Sequence, residues 1–163
     1  MELNAPDAMY NLACDYRDGD DGYPQNYAKA LELIYRAEEL GCSEAYFSIG
    51  YTYDYGEGVE VDSKKAVHYY ELAAMGGDAD ARYHLGSIEK CSGNWKRAVK
   101  HYMIAAGTGD GDSVKGIQDM YSSGFATKED YTKALRAYQS YLSEIKNRQR
   151  DQAAAFSDQY RYY

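Results

Sequence analysis

The sequence predicts an all-α solenoid: about four helix–loop–helix repeats stacked in line and closed by a C-terminal capping helix. Three observations predict it. An i, i+4, i+8 pattern with an apolar Leu or Ile at its centre recurs in four segments, and that spacing lines one face of a helix. A second set of segments, each opened by an anchor alanine, alternates with the first at a near-constant period. Helix-terminating and helix-capping residues fall in phase with both sets.

The first helices are "AMYNLACDY" (8–16), "AYFSIGYTY" (45–53), "ARYHLGSIE" (81–89) and "SVKGIQDMY" (113–121). Four residues into each stands Leu12, Ile49, Leu85 or Ile117. Eight residues in stands Tyr16, Tyr53, Glu89 or Tyr121. An anion precedes each segment: Asp7, Glu44, Asp80 and Asp112. Negative charge there suits the positive end of the helix dipole.

The second helices follow at Ala30, Ala66, Ala98 and Ala134, which are 36, 32 and 36 residues apart. A branched aliphatic comes next in each: Leu31, Val67, Val99 and Leu135. A bulky residue comes four on: Ile34, Tyr70, Tyr102 and Tyr138. Small residues let helices approach, and large ones fill the gaps. Asn26, Asp62, Asn94 and Asp130 each stand four residues before an anchor, where the sequence predicts N-caps. Gly41, Gly77 and Gly109 end the first three second helices, where left-handed φ is needed.

These marks place the repeats at 5–41, 42–77, 78–109 and 110–145. The capping helix and tail follow at 146–163, with Ala153, Phe156 and Tyr160 on one helical face. No unit buries its apolar face alone, so stacking must make the core. The fourth copy is irregular: Ser113 stands where the others have Ala, Gln118 where the second and third have Gly and the first has Ala13, and Ile145 for the closing Gly.

The totals narrow the function classes. The chain has 163 residues, enough for one domain with a sizeable core. Its net charge of −8 repels phosphate backbones, so no nucleic-acid partner is expected. Tyrosine is abundant, at 20 residues, and supplies apolar bulk with a polar tip. Cys14, Cys42 and Cys91 are odd in number and form no CxxC, which fits a reducing compartment. The N-terminal "MELNAPDAMY" has no signal-peptide pattern, and no apolar run reaches the length of a membrane span. A cytoplasmic protein without membrane insertion is the expectation.

Motifs for chemistry do not emerge. "DGDDGYPQNYAK" from Asp18 places Gly22 at position 5 and Lys29 at position 12, where an EF-hand needs oxygen ligands. "GEGVEV" (56–61) and "GTGDGD" (107–112) are neither GxGxxG nor a P-loop, and their acids would repel phosphate. His68, His84 and His101 fall at helical phases and read as packing or surface residues. The expectation is no enzyme, no metal and no cofactor.

The second copy reads Ala45-x3-Ile49-Gly50-x2-Tyr53-x2-Gly56-x-Gly58-Val59-x2-Asp62-x2-Lys65-Ala66-x2-Tyr69-Tyr70-x2-Ala73-Ala74-x2-Gly77. This resembles the Sel-1-like repeat, a relative of the tetratricopeptide repeat with a longer inter-helix loop. The likeness runs over about residues 5–145. The first copy replaces the Gly-x-Gly-Val loop by "GDDGYP", and the third shortens it to "CSGNW". The resemblance implies a right-handed α/α superhelix acting as a protein-binding scaffold or adaptor. Phrases such as "KALELIYRAEELG" and "RAVKHYMIAA" are also similar to algal proteins in which such repeats follow a RING finger. The alternative this implies is the substrate-recognition part of a RING-type ubiquitin ligase, here without the RING.

In tetratricopeptide-type superhelices the first helices line the concave groove. Carried across, the groove positions are Tyr10, Cys14 and Arg17; Phe47, Tyr51, Asp54 and Tyr55; Tyr83, Ser87 and Lys90; and Lys115 and Asp119. Tyr10, Phe47 and Tyr83 make one row aromatic in three successive copies. Aromatics with interspersed charge suit a protein or peptide partner. Far-UV circular dichroism is expected to show a dominant helical signal, and a strand-rich spectrum would overturn the fold assignment.

Overall fold

The computed structural model describes residues 6–159, with side chains as far as Gln152. Among the described residues there are eight α-helices and no strands: α1 Pro6–Asp18, α2 Tyr27–Glu39, α3 Glu44–Tyr55, α4 Ser63–Met75, α5 Ala79–Cys91, α6 Trp95–Gly107, α7 Gly111–Ser122 and α8 Lys128–Gln159. The all-α fold class predicted by the 3.6-residue periodicity is what forms. The chain divides into two compact units, one ending at Leu85 and one starting at Gly86, so the boundary falls inside α5.

In the first unit α1 packs on α2, α2 on α3, and α3 on α4. Its core joins Met9, Ala13, Ile34, Ala37, Cys42, Ala45 and Ile49. Ile34, Ala45 and Ile49 are positions that the repeat register assigns to the helix faces; in the first copy Met9 and Ala13 are buried, while the expected Ala8 is exposed and Leu12 half-buried. Tyr35 and Tyr53 close the edge of this core with a hydroxyl–hydroxyl hydrogen bond of 3.0 Å. Burial, followed by that bond to Tyr53, pushes the Tyr35 hydroxyl pKa up.

One packing device stands out in this unit. Tyr70 of α4 is fully buried against Gly50 of α3. A Cβ at position 50 would lie 2.8 Å from the Tyr70 ring, closer than side chains tolerate. The second unit repeats the device. There α6 packs on α7 and α8, and α7 on α8. Tyr102 of α6 is 2% exposed and lies between two glycines. A Cβ would come within 2.7 Å of its ring from Gly86 and 3.1 Å from Gly116. Ala98, Ala105, Ala106, Ile117, Met120 and Ala134 complete that core.

Helix ends agree with the register in part. The Asn26 side chain accepts from Lys29 N, and the Asp62 carboxylate accepts from Lys64 N and Lys65 N, so both cap as expected. Asn94 does not. Its amide instead donates to Glu89 at 2.7 Å, because the short "CSGNW" connection holds it beside the end of α5. Asp130 is the third residue of α8 rather than its cap. It forms a reciprocal box with Thr127: Asp130 N donates to Thr127 Oγ1, and Thr127 N and Oγ1 donate to the Asp130 carboxylate. These bonds hold the Asp130 pKa below the usual carboxylate range. Asp78 and Asp110 cap α5 and α7, roles the sequence register did not assign. Gly41, Gly77 and Gly109 take the left-handed φ expected at helix ends, at +91°, +94° and +103°.

The fourth second helix and the C-terminal segment form one element, the 32-residue α8. The expected face of Ala153, Phe156 and Tyr160 lies outside the residues whose side chains are described.

Two stability outcomes follow from this packing. Gly50→Ala should cost on the order of 1–3 kcal/mol, because Tyr70 must shift to admit the methyl group. A melting temperature equal to that of the wild type would remove the glycine–tyrosine contact from the core argument. Ser113 is fully buried and its hydroxyl has no hydrogen-bond partner. Ser113→Ala restores the residue found at the matching positions Ala45 and Ala81, and should raise stability by about 1 kcal/mol. A lower denaturation midpoint would contradict this account of the site.

Candidate functional site

Helix α3 supplies the centre of the site. Phe47, Tyr51, Asp54 and Tyr55 are spaced four, three and one residues apart, so they fall along one face. Tyr70 of α4 forms the floor beneath them, and Tyr83 and His84 of α5 stand opposite.

The side chains converge on His84. Its ring stacks on Tyr70 at 5.0 Å and 16°. Tyr51, Tyr55 and Tyr83 meet it edge-on at 5.9, 6.2 and 5.7 Å, and Phe47 lies 5.5 Å away. Tyr51 and Tyr55 stack on each other at 4.3 Å. Edge-to-face and offset contacts are the arrangements that ring quadrupoles favour. The cluster is graded in exposure, from Tyr70 at 0% to Tyr55 at 57%.

One carboxylate anchors the cluster. Asp54 Oδ2 accepts a hydrogen bond of 3.2 Å from the Tyr70 hydroxyl and lies 3.9 Å from His84 Nδ1. Burial, and then the Asp54 charge, push the Tyr70 hydroxyl pKa up. The same two causes raise the pKa of Tyr55.

Next to this cluster the end of α1 contributes its own groups. Tyr10 shares a 3.0 Å hydrogen bond with Ser48, and burial raises its pKa. Arg17 grips both carboxylate oxygens of Asp18 at 2.8 and 3.0 Å. That pairing lifts the guanidinium pKa above its ordinary value and lowers that of Asp18. Cys14 is half-buried on the same helix.

The structure therefore brings Phe47, Tyr51, Asp54, Tyr55 and Tyr83 together, with Tyr10 and Arg17 alongside on α1. Apart from Cys14 on α1, the other candidates belong to the second unit. Ser87 hydrogen bonds to the Tyr102 hydroxyl at 3.0 Å, so it serves the core there. Lys90 is half-buried on α5. Lys115 and Asp119 are exposed on α7, and Lys115 pairs with Asp112 at 2.7 Å.

Sequence reasoning missed two members. His84 reads alone as a packing histidine, yet it touches five rings and faces a carboxylate. Tyr70 reads as core filler, yet its hydroxyl orients Asp54. The available signal was Tyr83-His84 in phase with the aromatic row, one repeat away from Phe47.

The resulting surface offers ring faces, ring edges, hydroxyls and a carboxylate. That set suits recognition of apolar and cationic groups. Among the described residues no group of three or more His, Cys, Asp or Glu side chains is placed to hold a metal ion. No described helix is long and apolar enough to cross a membrane.

Comparison with known proteins agrees with this architecture. The Sel1 repeat family profile matches residues 6–42, 43–78 and 116–139. A Sel1 repeat protein from Oxalobacter formigenes superposes with a TM-score of 0.72 at 31% identity, over 88% of this chain and 60% of that one. The protective antigen c5321 of uropathogenic Escherichia coli, which displays an SLR fold, superposes with a TM-score of 0.72 at 28% identity, over 88% of this chain and 31% of that one. A curated relative, the ERAD-associated E3 ubiquitin-protein ligase component HRD3 of Candida glabrata, is 27% identical over 71% of this chain. This chain spans 14% of that protein's length, so all three relatives are substantially longer. With family matches in both units, eight helices in helix–loop–helix order among the described residues and glycine–tyrosine packing at the repeat positions, the chain belongs to the Sel1 repeat family.

Proposed function

We propose that this chain is a protein-interaction scaffold without chemistry of its own, and that a partner segment docks on the aromatic face of its first unit. Sel1 repeat proteins are generally protein-interaction scaffolds, which supports the coarse reading. The observation that carries the finer one is the ring cluster around His84. Five rings and a carboxylate converge there, and the outermost ring, Tyr55, stays 57% exposed.

A core needs no exposed tyrosine stacked on a half-buried one. A docking face does, because a ring already fixed by its neighbour loses little entropy when a partner covers it. Tyr51 and Tyr55 form such a pair, and Phe47 and Tyr83 extend it. The net charge of −8 supports a protein rather than a nucleic-acid partner.

A second reading rests on HRD3, whose name makes it a ubiquitin-ligase component. On that reading the scaffold selects substrates within a ligase assembly. Ubiquitin-transfer activity that co-purifies with the tagged chain would favour it.

The test is affinity capture with mass spectrometry, comparing the wild type with a Tyr51→Ala, Tyr55→Ala double variant. Tyr55 is exposed and Tyr51 half-buried, so the variant should keep its helical spectrum. It is expected to lose the captured partners by roughly tenfold or more, as truncation of central aromatic contacts does. Equal capture by both proteins would move the interface off this face.

A further inference from the structure

The first unit also holds an open cavity of about 330 Å³ beside the ring cluster, lined by Arg17, Asp18, Phe47, Ser48, Tyr51 and Glu57. It contains three charges, and two of them cancel. Arg17 donates to both oxygens of Asp18, at 2.8 and 3.0 Å. The third is Glu57, which is half-buried and whose Oε2 has no hydrogen-bond partner.

Glu57 is held there by its backbone. It follows the Gly56 C-cap of α3, and its N–H donates to Thr52 O at 3.0 Å. A secluded carboxylate oxygen without a partner is costly unless a cation joins it. The cavity wall suits such a cation. Phe47 and Tyr51 lie 6.1 Å apart at 43°, and ring faces attract ammonium and guanidinium groups. The methylene stems of Lys and Arg also bury readily on apolar surface. Over the whole chain, the net charge of −8 draws basic segments.

We propose that this cavity receives a lysine or arginine side chain of a basic partner segment, its cationic head pairing with Glu57 and its stem lying on Phe47 and Tyr51. The inference rests on the reading of the first unit as a docking face, and it assigns the chemistry of the segment that docks. The Arg17–Asp18 pair fixes the rim of the cavity and leaves Glu57 as the charge the segment must answer.

The experiment selects peptides from a random display library on the full chain and measures Kd for synthetic copies by fluorescence polarisation. The selected peptides should share a Lys or Arg at one position. Gln at that peptide position should weaken binding on the order of tenfold or more. Glu57→Gln should give a matching loss, and the two changes together should cost no more than either alone. The peptide-side change leaves the protein untouched, so its outcome does not depend on how the protein variant folds. Tight peptides without a shared basic residue, or an unchanged Kd for Glu57→Gln, would overturn the cavity assignment while Tyr55→Ala still weakened binding. Peptides with a shared acidic residue that depend on Arg17 would overturn it as well. If Tyr51→Ala and Tyr55→Ala left every Kd unchanged, the docking-face reading itself would fail.

Discussion

A phenol ring seated on bare glycine backbone sets the helix spacing in both units. Tyr70 lies on Gly50 in the first, and Tyr102 lies between Gly86 and Gly116 in the second. A buried tyrosine removes roughly 150–250 Å² from water. At about 25 cal/mol/Å² that is on the order of 4–6 kcal/mol. A helix cap contributes about 1 kcal/mol. The difference explains why two of the four expected caps could change their form while the packing held. The shortened loop before α6 costs that helix its side-chain cap and leaves the Tyr102 contact intact.

Burying a tyrosine brings a second requirement, since its hydroxyl must find a partner in the interior. Tyr70 finds Asp54, and Tyr102 finds Ser87. Both partners stand on first helices, at positions the resemblance assigns to the groove. Their roles then diverge. Ser87 is half-buried and satisfied, and it serves the core. Asp54 carries a charge, keeps company with His84, and lies among rings that reach the surface. The packing rule that holds the repeat together thereby places a carboxylate beneath an aromatic face in one unit and a neutral hydroxyl in the other.

The stretch from Gly50 to Asp62 shows the economy of this arrangement. Gly50 admits Tyr70, Tyr53 bonds Tyr35, Asp54 holds the Tyr70 hydroxyl, and Asp62 caps α4. Of the remainder, Tyr51 and Tyr55 form a stack with Tyr55 exposed, and Glu57 Oε2 is left without a hydrogen-bond partner. In the proposed function, recognition falls to the few side chains of this stretch that folding does not consume.

The helices, their order, the glycine-ended turns and the tyrosine knobs were legible in the sequence. They depend on periodicity and local backbone preference, which a repeat states several times over. The aromatic row Tyr10, Phe47 and Tyr83 was legible too, as residue types in phase. Which side chains meet was not. His84 gained its contacts with Phe47, Tyr51, Tyr55 and Tyr70, and Asp54 its tyrosine, only when α3, α4 and α5 came together, because those partners lie 14 to 37 positions apart in the chain. Asn94 and Asp130 had the composition of caps, but loop length and a neighbouring threonine decided what each one bonded. Periodicity in the sequence determined the fold. The hydrogen-bonding and charge character of the candidate site residues was decided by tertiary packing, because that character depends on which polar groups the core leaves unsatisfied.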